Sequence, residues 1–292
     1  MTDRAGWPAL PLAAWRATCD TLHMYAQIVG KIRLALAPAE PEWAHVALYV
    51  SPLGLTTGAI PYRGRSFQID FDLVGHSVDI VVSDGRSHSI PLVPRSVAAF
   101  YRELMGALGA LDIEVKIWTM PVEVADPIRF TDDETHASYD PEAASRFAAI
   151  LTAVDTALEE HRAPFRKRHT RVQFFFGTFD LAYARFSGRP ATPPNDGIIM
   201  KNAMDAEEIC AGFWPGDDRF PEPGFWCYAY PKPPGAEDLA IQPDAAFWSS
   251  EMGEFVLRYE DVRKSADPPA ALRAFFTSTF EALSKAADWD HA

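Results

Sequence analysis

The sequence is poor in the features that most often announce a function. Its three cysteines, Cys19, Cys210 and Cys227, are odd in number, far apart and form no CxxC pair. Neither a zinc site nor a disulfide framework is indicated, and a reducing compartment is. No apolar run approaches the ~18 residues a membrane helix needs. The first residues, MTDRAGWPALP, lack the apolar stretch of a secretory signal. The chain therefore reads as soluble and cytoplasmic, with no membrane association. Positive charge is also scarce, and the formal net charge is −13. Such a field repels phosphate backbones, so nucleic acid is not an expected partner. The one dense basic stretch, Arg166-Lys167-Arg168 with Arg171, reads as a solvated helix-to-strand connection. Missing too are the GxSxG elbow, the GxxxxGK[ST] and GxGxxG phosphate loops, the HExxH helix and the EF-hand loop. The common legible enzyme classes are unsupported, and no cofactor is named.

What is present is an ordinary globular composition. Hydrophobic residues make up 48% of the 292, enough for one large or two average domains with a sizeable core. Leu12, Trp15, Cys19, Leu22, Ala26, Val29 and Leu36 recur at helical spacing and predict a helix over 12–37, stopped by Pro38. Short strands follow over 45–51 and 55–60. Residues 66–73 then alternate, with Phe67, Ile69, Phe71 and Leu73 on one face and Gln68, Asp70 and Asp72 on the other. A two-residue turn at Gly75-His76 would set Leu73 against Val78 and Asp72 against Asp79. A strand over 87–92, a helix over 95–111 and a strand over 113–122 complete the first part. Asp140 and Pro141 suit the cap and first position of a second long helix, to about 162. The run VQFFFGTFDLAYARF, 172–186, reads as strands with aromatic rings on both faces, and its Asp180 as a turn carboxylate. The punctuated stretch 187–223 reads as a long inserted loop, a candidate lid. Strands over 225–230 and 254–259 and a helix from Pro268 or Pro269 to about 287 close the chain.

A shift of 126 residues lays Val46, Leu48, Tyr49, Val50, Leu53, Leu55 and Ile60 over Val172, Phe174, Phe175, Phe176, Phe179, Leu181 and Phe186. All seven pairs are apolar, and the two long helices also superpose. The expectation is an α+β fold: antiparallel sheets with helices packed on one face, and an internal duplication of helix, strands and helix. The halves would be 1–125 and 126–292, together one compact unit, with a pocket at the seam.

The candidates for chemistry follow from this layout. Asp20, His23, Gln27 and Lys31 form a polar stripe on the first helix, where His23 could do acid–base work and Lys31 could hold an anion. Arg33 falls where a core residue is expected and needs a partner, such as Asp180 or a sheet carboxylate. Catalytic candidates are thus His23, Lys31, Arg33 and Asp180. Asp70, Asp72 and Asp79 crowd one sheet face and could hold Mg²⁺ or Ca²⁺. Residues 168–260 contain 17 of the 36 aromatics, which concentrates apolar surface with polar handles in one region. Phe175, Trp214, Trp226 and Tyr228 are the candidate ligand-binding residues.

The strings WPALP, TLHMYAQIVGKIRLAL, FQIDFDL, FDLAYARFSGRP, AGFWPG and AYPKPPG resemble a bacterial family of uncharacterised proteins, a domain of unknown function. The resemblance covers nearly the whole chain. It implies a single full-length module and brings no activity, cofactor or catalytic residue. The leading expectation is a soluble protein that binds a small, partly apolar ligand in an aromatic-lined pocket. The alternatives are an enzyme built on the His/Lys/Arg/Asp cluster and a protein–protein interaction module.

Overall fold

In the computed structural model, which describes residues 6–289, the first helix α1 spans Leu12–Leu36. Its second half, residues 24–33, is buried on every side, so it is a central element rather than a surface one. Tyr25 stacks on Phe100, with ring centroids 3.9 Å apart, and Trp15 meets Phe147 at 4.9 Å. Those rings belong to α2 (Val97–Ala110) and α3 (Pro141–Arg162). Asp140 caps α3 as its position predicts, accepting from the backbone N–H groups of Glu142 and Ala143.

Two antiparallel sheets flank these helices. The first contains β1 (Tyr49–Ser51), β2 (Gly54–Thr56), β4 (Arg65–Asp72), β5 (Ser77–Val82) and β6 (Ser87–Pro91) in that order, with β3 (Ile60–Tyr62) also paired to β4. The second contains β7 (Gln173–Phe175), β8 (Asp180–Pro190), β9 (Ala206–Trp214), β10 (Gly224–Tyr230), β11 (Phe247–Ser249) and β12 (Glu254–Arg258), in the order β11-β12-β10-β9-β8-β7. The sheets meet where Leu48 and Phe174 exchange both backbone hydrogen bonds, at 2.9 and 2.8 Å. Three further helices are α4 (Ile198–Ala203), α5 (Tyr259–Lys264) and α6 (Pro268–Ala286). The class is α+β, as expected. The order helix, antiparallel meander, helix occurs in both halves. The 126-residue shift would pair Phe176 with Leu181, as Val50 pairs with Leu55, whereas Phe174 takes that place. No helix among the described residues is long and apolar enough to cross a membrane.

Register in the second sheet decides what lies on each face. Leu181, Phe213, Phe225 and Leu257 stand side by side on one face. They join the main core beneath α3 and α6, which holds residues from Trp7 to Trp289. The neighbouring row, Ala182, Gly212, Trp226 and Val256, points the other way. Phe174 and Phe176 belong to the core, and Phe176 presses on α1 where only glycine fits: a Cβ on Gly30 would stand 2.0 Å from its ring. Phe175 points to the opposite face. The aromatic run is therefore covered by helices on one side and by a cavity on the other.

Four sequence expectations change. The stretch 113–122 is no strand. Its backbone is held by side chains instead, with Val122 exchanging two hydrogen bonds with Gln27 and Glu114 donating to the Tyr62 hydroxyl. The stretch 187–223 is no inserted loop, because it contains the end of β8, all of α4 and the central strand β9. The turn after β4 has four residues, not two. Asp72 accepts from the backbone N–H groups of Val74 and Gly75, and Asp70 rather than Asp72 stands opposite Asp79. The slip of two residues keeps every apolar pair on one face, which is why alternation alone could not detect it. Asp70, Asp72 and Asp79 consequently do not converge as metal ligands. Gln68 donates to Asp70, Ser77 donates to Asp79, and Asp72 closes its turn. No group of three or more His, Cys, Asp or Glu residues that could hold a metal is found among the described residues.

Candidate functional site

The cavity has a volume of about 960 Å³. Its floor is the outward face of the second sheet. Strand alternation brings Asp180, Ala182, Ala184 and Phe186 of β8 to this face, with Glu208, Cys210, Gly212 and Trp214 of β9 and Trp226 and Tyr228 of β10. Phe175 stands beside them at the edge strand. One wall is the outer stripe of α1, with Asp20 and His23, and the rim includes Glu123 from the connection after α2. Met200 and Met204, in and just after α4, and the segments around Asp217 and Glu251 complete the enclosure.

Small residues make room for the rings. A Cβ on Gly212 would lie 2.4 Å from the Trp226 ring and 2.4 Å from the Leu181 carbonyl, so glycine here lets the indole lie flat against the strand. Trp226 stacks on Tyr228, with centroids 5.5 Å apart and planes at 16°. All four ring residues expected at a ligand site, Phe175, Trp214, Trp226 and Tyr228, line this cavity.

The catalytic candidates divide. Asp180 and His23 line the cavity, whereas Lys31 and Arg33 do not. Eight residues of helix separate His23 from Lys31, about 12 Å along the axis. Lys31 is buried with its ammonium 4.7 Å from the centre of the Trp118 ring, and burial lowers its pKa to about 8. Arg33 finds its partners locally. It donates to the Thr57 carbonyl at 2.5 Å, lies 3.9 Å from Glu40, and covers the Tyr49 ring. Asp180 and the sheet carboxylates are therefore not what holds it.

His23 is a clamp. Its Nε2 stands 3.0 Å from the Phe176 carbonyl and 2.9 Å from that of Gly177. Carbonyl oxygens only accept, so Nε2 carries the proton. Burial first of all drives its pKa down to about 4, which leaves the ring neutral at physiological pH. Gln27 Nε2 lies 3.2 Å from the same nitrogen, and the ring stacks on Phe179, whose φ of 59° places a bulky residue in the left-handed region. Phe179 is held there between His23 and Phe147, with centroids 4.9 and 5.6 Å away. This arrangement aims the next residue, Asp180, along the cavity floor.

Sequence reasoning named Asp20 and Asp180 but missed Glu123, Glu208 and Glu254, which line the same cavity. Asp180 is half-buried and accepts from the Thr178 hydroxyl. Burial, then the charge of Glu123, raises its pKa to about 7 despite that bond. Burial, then Asp180, raises Glu254 to about 8. Glu208 is only 4% exposed and is raised to about 7, chiefly by burial, with the Cys210 thiol beside it. Burial also raises Asp20. Glu208 and Glu254 sit on adjacent rows of the sheet face, and the alternation Glu208, Cys210, Gly212, Trp214 was the available signal.

A family model matches the chain over residues 7–292. The chain belongs to DUF5996, a family of unknown function. The match is full-length, as was the resemblance. No curated protein and no solved structure matches this DUF5996 chain. The cavity therefore has to be interpreted from its own chemistry.

Proposed function

We propose that the protein is a soluble, cytoplasmic binder of a small, partly apolar ligand, held in the cavity on the second sheet. One observation carries this reading: Phe175, Trp214, Trp226 and Tyr228, from three different strands, line a single cavity of about 960 Å³. That volume lies in the range of ~300–1,000 Å³ that small-molecule sites occupy. A ligand burying roughly 300 Å² of apolar surface against these walls would gain about 7 kcal/mol before the costs of association. The two helix–meander–helix halves fit a duplication in which the second copy acquired the cavity floor.

Native mass spectrometry of the purified protein tests the reading. The expected result is a bound mass of a few hundred daltons that is lost on denaturation and absent from a Trp226→Ala variant. An unliganded native mass, together with no change in tryptophan fluorescence on titration with a neutral naphthalene alcohol, would refute it.

A second reading, an acid–base enzyme, is favoured by the raised carboxyls. Asp180, at about 7, and Glu254, at about 8, would exchange protons near neutral pH. Turnover of the captured ligand that disappears in both Asp180→Asn and Glu254→Gln would support it, and turnover unchanged in both would exclude it.

A further inference from the structure

We infer that the ligand is an organic cation, a molecule whose protonated amine or quaternary ammonium is attached to a flat or apolar body. This rests on the binding function proposed above and specifies the charge of its ligand.

The first ground is the asymmetry of charge around the cavity. Asp20, Glu123, Asp180, Glu208 and Glu254 line it, and none of these five has an ion-pair partner among the described residues. The two arginines of the lining are already engaged. Arg16 pairs with Asp218 at 3.1 Å and Arg219 with Asp217 at 2.7 Å. An anionic ligand would meet carboxyls without a free cation to receive it.

The second ground is Glu208. It is only 4% exposed, yet strand register places it on the cavity side of β9. Its side-chain neighbour there is the Cys210 thiol, a weak partner. A buried carboxyl normally has a cation or strong donors. The positive charge that acts on it, Arg168, is itself paired with Glu42, and the open side of the carboxyl is the cavity.

The third ground separates an organic cation from a metal. The carboxyls are distributed along the cavity, and no three of them converge as metal ligands among the described residues. Carboxyls spread along the cavity suit a charge carried on an extended body, whose arrival would favour their ionised forms. The stacked Trp226 and Tyr228 rings supply the complementary surface, since aromatic faces attract ammonium groups and also bury hydrocarbon.

The test uses three probes with one ring system: 2-naphthylmethylamine, 2-naphthylmethanol and 2-naphthoate. Each is titrated into the full-length protein by calorimetry and followed by tryptophan fluorescence. The expected result is at least tenfold tighter binding of the amine than of the alcohol, with the carboxylate weakest. Glu254→Gln and Asp180→Asn should each reduce the ratio of amine affinity to alcohol affinity at least threefold. Circular dichroism and urea midpoints verify that the variants fold. Should a variant fail to fold, the ranking of probes on the wild-type protein decides. Equal or tighter binding of the alcohol or carboxylate would overturn the inference while leaving a binding cavity in place. Binding of none of the three would count against both readings.

Discussion

Replacing Glu254 with glutamine should change how stability depends on pH. Burial first, and the charge of Asp180 second, raise this carboxyl from the ordinary glutamate value of 4.5 to about 8. The folded protein therefore keeps a proton that the unfolded chain has lost across that window. Stability must fall as pH rises from about 4.5 towards 8 and then level off. At roughly 1.4 kcal/mol per pH unit, the full window bounds the loss at about 5 kcal/mol. The side chain is only half-buried and faces a solvent-connected cavity. Screening there reduces the expected linkage to about 2 kcal/mol. Glutamine retains the size and hydrogen-bonding capacity but cannot ionise. Urea unfolding of both proteins at pH 5.0, 6.5 and 8.5 should show matching stabilities at the lowest pH. The variant should be about 2 kcal/mol more stable at the highest. Because Glu254 and Asp180 repel each other when charged, part of that gain would come from relief at Asp180. Parallel pH profiles would refute the reasoning, as would a variant destabilised equally at every pH.

Other perturbations test the packing and the cap. Gly30→Ala places a methyl group 2.0 Å from the Phe176 ring, and urea denaturation should show a loss of about 2–3 kcal/mol from overpacking. Gly212→Ala should lift the Trp226 indole from the strand, visible as a shift in tryptophan emission and a loss of naphthalene-probe binding, since its Cβ would lie 2.4 Å from that ring. Asp140→Ala removes the acceptor for the Glu142 and Ala143 N–H groups and should cost about 1 kcal/mol in the same assay.

Much of the architecture is local and was legible. The long helices follow from apolar spacing bounded by proline and, for α3, from Asp140 and Pro141, which satisfy backbone groups within one turn. The alternation in β4 showed its buried face whatever the pairing. Aromatic density in 168–260 pointed to the region where the cavity lies, because rings need large apolar neighbours wherever they are placed. Where signals were mixed, local reasoning failed. Glu207 and Glu208 beside Gly212 obscured β9, a central strand that proline-rich flanks made resemble a loop. Asp70 faces Asp79 because Asp72 is used to close a four-residue turn, and nothing in the alternation distinguishes a register slip of two.

The sequence by itself determined the α+β class, the long helices, the acidic balance and the aromatic wealth of the second half, since each depends on composition or on neighbours within a few residues. Only the tertiary structure decided that Lys31 and Arg33 belong elsewhere and that Asp20, Glu123, Asp180, Glu208 and Glu254 share one cavity. Their charges interact across strands and segments distant in sequence. Their raised proton affinity comes first from desolvation, joined at Asp180 and Glu254 by repulsion from another carboxyl of the cavity, and both effects exist only after the chain has closed around them.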